Sequence, residues 1–223
     1  MADMNKVNYQ KVLDQTLAGI REEGKVPRLL LHSCCAPCSS YVLEYLSRYF
    51  EITDYFYNPN IYPAEEHETR SRELERFIGQ MPAERPISFI EGDYEDRKFY
   101  EAVRGLEEEP ERGARCEVCF RLRLEEAARK AGQLGMDYFT TTLSISPMKD
   151  EQLLNAIGVE MGEKYGVPYL YSDFKKRGGY LRSTQLSGEY GLYRQDYCGC
   201  IFSRRQREQS DRGASRRQES RSN

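Results

Sequence analysis

Strand-like and helix-like segments alternate along most of this chain. The strand-like segments are short, apolar and bounded by turn residues; they are 28–33, 51–57, 86–90, 136–143 and 167–171. Between them lie segments with apolar residues at helical spacing: 39–50, 63–79, 97–106, 119–132 and 150–165. Strands and helices in alternation form right-handed crossovers, which place the strands parallel in one sheet. The sequence predicts an α/β fold with a Rossmann-like parallel sheet and helices on both faces.

The pattern divides the chain of 223 residues into three parts. Residues 1–24 are predicted to be a helical N-terminal extension. Residues 25–202 are predicted to be a single α/β domain, a usual size for one domain. Residues 203–223 hold seven arginines, three acidic residues and no apolar residue larger than alanine. Because this tail can bury little apolar surface, it is predicted to be disordered.

Neither a membrane nor an export route is indicated by the sequence. No apolar run approaches the roughly 18 residues that span a bilayer. The N-terminus carries charges where a secretory signal has its apolar centre. We therefore expect a cytoplasmic protein with no membrane partner. The net charge of −3 does not by itself suggest a nucleic-acid binder.

All seven cysteines fall into three tight groups. The groups are Cys34, Cys35 and Cys38, then Cys116 and Cys119, then Cys198 and Cys200. An odd number of cysteines in a reducing compartment argues against a disulfide scaffold. Cysteines that serve only as small core residues would be scattered singly. The grouping therefore indicates metal or redox chemistry.

Two of the groups lie where a parallel sheet binds ligands. Cys34, Cys35 and Cys38 directly follow the first predicted strand, and Cys116 and Cys119 open a helix. Ligands bind at the carboxyl ends of parallel strands, so a cysteine-rich metal site is predicted at that edge. Adjacent cysteines chelate a single tetrahedral zinc poorly and can serve two irons more easily, which favours an iron–sulfur cluster over zinc.

The remaining motifs are less specific. Cys198-Gly199-Cys200 can close only a strained, easily reduced disulfide ring, so both a redox role and metal ligation stay open. The segments 173–180 and 192–198 combine basic residues with tyrosines that could contact an RNA base, although a solvated basic loop with core tyrosines is about equally expected. His67 lies on a charged helix and is expected at the surface.

Six motifs, in this order, resemble the cobalamin-independent epoxyqueuosine reductases, the QueH family. They are HSCCAPC at 32–38, YNPNIYP at 57–63, RCEVCFRLRLEEAA at 115–128, TTTLSISP at 140–147, DFKKRGGY at 173–180 and LYRQDYCGC at 192–200. The resemblance covers roughly residues 25–202. It implies a Rossmann-type oxidoreductase that reduces the epoxide of epoxyqueuosine to queuosine at the tRNA wobble position.

The resemblance also implies roles for the cysteines. A 4Fe-4S cluster would be held by Cys34, Cys35, Cys116 and Cys119. Cys38 would help to hold an additional iron ion, and Cys198 and Cys200 would be the redox-active pair. The implied partners are epoxyqueuosine-bearing tRNAs for Asp, Asn, His and Tyr, and an electron donor that the sequence does not identify. The local basic patch expected to contact tRNA comprises Lys175, Lys176, Arg177 and Arg182, with a possible contribution from the tail.

Two alternatives to this function have different cysteine chemistry. One is a zinc-stabilised RNA- or nucleotide-binding α/β module related to tRNA thiolation enzymes. Those enzymes carry a Gly/Ser-rich phosphate loop after the first strand, and SCCAPC at 33–38 occupies that place here, which argues against ATP use. The other is a metal-free thiol–disulfide oxidoreductase, which would leave five cysteines beyond the Cys198 and Cys200 pair without a role.

Overall fold

The computed structural model describes residues 6–219, with side chains up to residue 212. Within this range the strands are β1 (Arg28–Ser33), β2 (Glu51–Phe56), β3 (Ile87–Glu91) and β4 (Tyr138–Thr141). The helices are α1 (Tyr9–Glu23), α2 (Ala36–Leu46), α3 (Ala64–Gln80), α4 (Asp96–Ala102), α5 (Ala114–Gln133), α6 (Glu151–Tyr165), α7 (Gly179–Glu189) and α8 (Ile201–Glu219). A short 3-10 turn, Thr142–Ile145, follows β4.

The four strands form one parallel sheet in the order β3-β2-β1-β4. Leu30 of β1 lies opposite Thr53 on one side and Phe139 on the other, so β1 is central. The parallel α/β sheet predicted from the sequence is confirmed. The predicted strand at 167–171 is reduced to a single bridge between Phe139 and Tyr169, because Pro168 has no amide to donate to a longer ladder.

Successive side chains of β1 point to opposite faces of the sheet, and each face carries its own core. Leu29 and Leu31 pack with residues of α1, α2 and α3, whereas Leu30 packs with residues of α5 and α6. Helices therefore cover both faces, as predicted. The N-terminal segment contributes to the first core, because Leu13 and Leu17 of α1 are buried there.

One expectation about exposure differs from the structure. His67 is buried, with its ring 5.0 Å from Phe56 and 4.3 Å from Tyr94 between ring centroids, so the prediction of a surface histidine is wrong. Fewer polar residues of α3 face solvent than its composition suggests, because His67, Arg70 and Ser71 are buried. Disorder of the tail stays a prediction; the structure describes residues 203–219 as part of α8.

Local interactions explain why the start of the tail is helical. Phe202 and Ser203 are buried and anchor the first turn of α8. Further along, the Arg204–Glu208 pair is spaced four residues apart, which supports a helix on its exposed face. Arginine, glutamine and glutamate also have good helix propensity. The predicted tail beyond residue 219 lies outside the described residues. None of the described helices is long and apolar enough to cross a membrane.

Candidate metal centre and redox site

The connection from β1 to α2 carries three cysteines. Their Sγ atoms all lie within 4.8 Å of one another, a spacing that could hold a metal ion. Cys34 follows the last residue of β1, Cys35 is the N-cap of α2, and Cys38 lies in the first turn with Pro37 before it. The helix N-terminus, where backbone amides are unpaired, therefore favours negative charge at these thiols.

Hydrogen bonding among these thiols makes them unequal. Hydrogen bonds from Cys34 and Cys38 hold the pKa of Cys35 well below its usual value, and the Arg70 guanidinium acts in the same direction. Hydrogen bonds to Cys34 and Cys35 raise the pKa of Cys38 well above its usual value. The three thiols therefore differ in how readily each loses its proton, and Cys35 loses it most readily.

His32 lies beneath this group but is not available as a ligand. Its Nε2 is 3.0 Å from the carbonyl oxygen of Tyr57, which only accepts, so Nε2 carries the proton. Nδ1 then accepts from the Thr141 hydroxyl at 2.8 Å. Complete burial, followed by the charge of Arg123, lowers the pKa of His32 to about 4. The imidazole is therefore neutral, and both ring nitrogens are occupied.

The other four cysteines line one small cavity of about 20 Å³. Cys116 and Cys119 reach it from the first turns of α5, and Cys198 and Cys200 reach it from the loop before α8. Burial raises the pKa of Cys116, and it raises the pKa of Cys119 to about 12. These shifts favour the protonated thiols even though the charges of Arg123 and Lys149 act in the opposite direction.

Hydrogen bonds from Lys149, Arg70 and Ser203 hold the Cys198–Cys200 loop in place. The Lys149 Nζ lies 3.0 Å from the Cys198 Sγ. The Arg70 Nη1 donates to the Cys198 carbonyl oxygen at 3.2 Å, while its Nε pairs with Glu66. The Ser203 amide donates to the Cys200 Sγ at 3.4 Å. The two thiols therefore have different partners, a cation for Cys198 and the first turn of α8 for Cys200.

Gly199 has a backbone conformation that the loop requires. Its φ of 136° is one that L side chains rarely adopt. A Cβ at this position would lie 3.2 Å from the Arg70 Nη1 and 3.2 Å from Ile61. The Gly199 carbonyl oxygen also accepts from the Tyr62 amide at 2.8 Å. Both the conformation and the close packing thus call for glycine between the two cysteines.

Two cations, Arg123 and Lys149, lie among the cysteines. Burial acts to lower the pKa of Arg123, but the surrounding thiols, Cys119 and Cys34 among them, outweigh it and the pKa is raised. Burial likewise acts to lower the pKa of Lys149, and the adjacent Cys198 thiol more than offsets this. Arg123 lines the same cavity as Cys116, Cys119, Cys198 and Cys200, and the Lys149 Nζ contacts the Cys198 Sγ. Over residues 6–212 no carboxylate pairs with Arg123 or Lys149.

The structure arranges the seven cysteines in two groups. Of the four expected cluster ligands, Cys34 and Cys35 share their close group with Cys38. Cys116 and Cys119 instead share a cavity with the expected redox pair. Sequence reasoning did not single out Arg123 or Lys149. The spacing of Arg123, four residues after Cys119 on one helix face, was the available signal.

The expected tRNA-binding patch is largely occupied by ion pairs. Lys175 pairs with Glu151 at 2.7 Å and with Asp173 at 2.8 Å. Arg182 pairs with Glu44 at 2.6 Å and with Glu189. Arg177 pairs with Asp14. Phosphates would have to compete with carboxylates for most of these cations.

Comparison with known proteins identifies the family. A family model described as "Epoxyqueuosine reductase QueH" matches residues 29–206. A Streptococcus pyogenes serotype M1 protein of that name is 45% identical over 207 residues, covering 91% of this chain and 81% of the relative. A Staphylococcus epidermidis protein of the same name is 44% identical over 201 residues, covering 88% and 84%. One from Thermotoga maritima is 36% identical over 195 residues, covering 85% and 96%. This chain therefore belongs to the epoxyqueuosine reductase QueH family.

Proposed function

We propose that this chain reduces the epoxide of epoxyqueuosine in tRNA to the alkene of queuosine, with an iron–sulfur cluster and a redox-active cysteine pair. The observation that carries the proposal is the grouping of the seven cysteines. Cys34, Cys35 and Cys38 have sulfur atoms within 4.8 Å of one another, and the other four cysteines line one cavity with Arg123. Family membership gives the reaction, and the cysteines give the chain a means to perform it. The acceptors proposed are the tRNAs for Asp, Asn, His and Tyr.

The residues present fit an anionic metal centre. The Nη2 of Arg123 is buried with no hydrogen-bond partner, and its side chain is only 2% exposed. A buried cation without an anion is costly. Thiolates bound to a metal stay deprotonated and carry negative charge, so a cluster next to Arg123 would supply the missing counter-charge.

The ligands we propose for the cluster are Cys34, Cys35, Cys116 and Cys119, with Cys38 beside them holding an additional iron. Cys34, Cys35 and Cys38 have the close spacing that supports their part in the site. When bound, a cluster supplies one-electron transfer, and an additional iron supplies a Lewis acid for the epoxide oxygen.

The proposed redox step uses the Cys198 and Cys200 thiols. Their oxidation to a disulfide forms one S–S bond and releases two electrons and two protons. In the substrate, both C–O bonds of the epoxide break, a C=C bond forms, and the oxygen leaves as water with the two protons. An external reductant then restores the dithiol. Lys149, at 3.0 Å from Cys198, holds a proton and a positive charge beside the reacting sulfur.

The redox pair is tested by single turnover on epoxyqueuosine-bearing tRNA, with the nucleoside mass as the readout. The wild-type protein, loaded anaerobically, is expected to form queuosine. A Cys198→Ser, Cys200→Ser double variant with the same metal content is expected to form almost none. Full single-turnover reduction by the double variant would falsify the proposed role of the pair.

Metal analysis tests the cluster separately. Protein purified without oxygen is expected to contain about four irons per chain from the cluster, about five when the additional iron is bound, and to absorb broadly in the visible range. Zinc at one equivalent with no iron would refute the cluster and support the zinc-stabilised module instead.

A further inference from the structure

A cavity of about 160 Å³ opens beside the metal site on the α7 side. Cys38 and Pro37 line it where α2 begins, Met148 lines it from the loop after β4, and Tyr180 lines it from α7. Gln195, from the loop that leads to Cys198, completes this side of the cavity. Of the three cysteines after β1, Cys38 therefore faces this cavity.

Exposed apolar side chains flank this cavity. Tyr180 is 43% exposed and Met148 is 53% exposed. A tyrosine ring and a thioether held in this way, beside a cleft, suit stacking against a flat nucleobase, and unpaired bases in protein complexes bind by such stacking. Arg194, also exposed, lines the same cavity and offers a cation for a phosphate.

The charge of the lining separates this cavity from its neighbours. Its lining includes Arg194 and no carboxylate. The cleft of about 280 Å³ next to Cys116 is lined by Glu111, Asp150 and Glu151 as well as by cations. A third cleft, between α3 and α8, also has several carboxylates in its lining. Carboxylates repel an RNA backbone, so the cavity beside Cys38 is the better entrance for a nucleotide.

Gln195 provides the polar feature of the cavity. Its side chain lines the cavity together with Cys38. The amide oxygen Oε1 of Gln195 is buried and has no hydrogen-bond partner. A buried carbonyl oxygen without a donor is costly, and a ligand that brings an O–H or N–H group would satisfy it.

We infer that this cavity is the subsite for the modified nucleobase, with Tyr180 as the stacking residue and Gln195 as the residue that recognises an O–H or N–H donor of its epoxide-bearing side chain. The inference rests on the proposed function and adds a position for the substrate. Stacking on Tyr180 would hold the extruded base, and Gln195 would hold its side chain next to the sulfur site. Gln195 is a specificity-determining residue, because it distinguishes the modified base from guanine.

The test is equilibrium binding of two fluorescently labelled tRNAs that differ only at the wobble position, one with epoxyqueuosine and one with guanosine. Wild-type protein is expected to bind the modified tRNA more tightly. Tyr180→Leu should weaken its binding roughly tenfold, the scale of one base–aromatic stack, and Tyr180→Phe should restore it. Gln195→Met should abolish most of the preference for the modified tRNA while the affinity for the guanosine tRNA stays the same.

Matched controls separate binding from structural damage. Tyr165→Leu removes a tyrosine on α6, where the hydroxyl donates to Glu125, and should leave both affinities unchanged. Iron content and visible absorbance should be the same in all variants. If Gln195→Met does not accumulate as folded protein, Gln195→Asn, which withdraws the amide by one methylene, should show the same loss of preference.

The outcomes separate this inference from the proposed function. Wild-type affinities for Tyr180→Leu and Gln195→Met would overturn the subsite, as would a wild-type protein with no preference between the two tRNAs. Those results would leave reduction of epoxyqueuosine by the wild-type protein untouched. Conversely, absence of product in the turnover assay together with a preference that depends on Gln195 would refute the proposed function and support the subsite.

Discussion

Asp54 gives the most quantitative prediction about this fold. It lies on β2 with no exposed surface, one carboxyl oxygen accepts from the Ser33 hydroxyl at 2.6 Å, and the other has no partner. Burial is the main cause that raises the pKa of Asp54, from 3.8 to about 8. In the folded protein at neutral pH the carboxyl group is therefore mostly protonated, whereas in the unfolded chain it is ionised.

The sign and size of the effect follow from proton linkage. Because the folded state holds the proton more tightly, the contribution of Asp54 to stability is greatest below pH 3.8 and is lost as the pH rises to about 8. One pH unit within this window is worth about 1.4 kcal/mol. At pH 7 the window has been crossed by roughly three units, so the loss is about 4 kcal/mol.

We expect Asp54→Asn, which cannot ionise, to remove this pH dependence. The assay is urea denaturation of reduced, metal-free protein followed by circular dichroism, since the chain has no tryptophan, at intervals from pH 5 to pH 8. The free energy of unfolding of the variant relative to wild type should rise by about 1.4 kcal/mol per pH unit.

A surface aspartate provides the control. Asp137 is exposed and accepts from the Arg28 amide at 2.7 Å. Asp137→Asn should leave the pH dependence of unfolding as it is in wild type. A constant difference between Asp54→Asn and wild type from pH 5 to pH 8 would show that Asp54 is ionised in the fold, and the reasoning from burial would then be wrong.

Two further predictions concern the redox loop. Lys149→Met should slow alkylation of Cys198 by iodoacetamide about tenfold at pH 7, because the ammonium group 3.0 Å from the Cys198 Sγ stabilises negative charge on the attacking sulfur; Lys149→Arg should retain most of the rate, and equal rates in all three proteins would contradict the role of the charge. Gly199→Ala should destabilise the fold by roughly 1–3 kcal/mol and slow closure of the Cys198–Cys200 disulfide, measured by thiol counting after mild oxidation; an unchanged closure rate would show that the loop tolerates a side chain.

The sheet could be predicted from the sequence because the apolar period and the turn residues determine it locally. The runs that became β1, β2 and β4 are short and buried on both faces, which is the pattern of central parallel strands. The segment at 167–171 has the same composition, but pairing requires amides at set positions. Pro168 removes one of them, so composition overstated the length of the strand.

Burial of polar residues was harder to predict because it depends on the partner surface. His67 looks like a surface residue when α3 is considered alone, and only the approach of Phe56 and Tyr94 shows that it is enclosed. The helical start of the tail has the same cause. Phe202 anchors it in a small core with Phe99, and no local pattern reveals that long-range contact.

The sequence shows which residue types a candidate site can use, whereas the grouping of their sulfur atoms can be described only from the structure. Motif spacing identified all seven cysteines, yet spacing along the chain does not determine which sulfurs face one another. Cys38 joins Cys34 and Cys35 because one helical turn from the N-cap brings it back to the same end of α2. Lys149 was missed because it follows Pro147 and Met148 in a loop, where no periodicity applies.

The attachment of α8 has a practical consequence for work with this protein. The helix begins at the residue after Cys200, and the Arg204 amide donates to the Cys200 carbonyl oxygen at 3.1 Å. A purification tag at the C-terminus would be attached well beyond this anchored first turn. Trimming the chain back to residue 203, in contrast, would cut into the turn that orients a reactive sulfur, so a shortened crystallisation variant of this kind would report on a disturbed thiol.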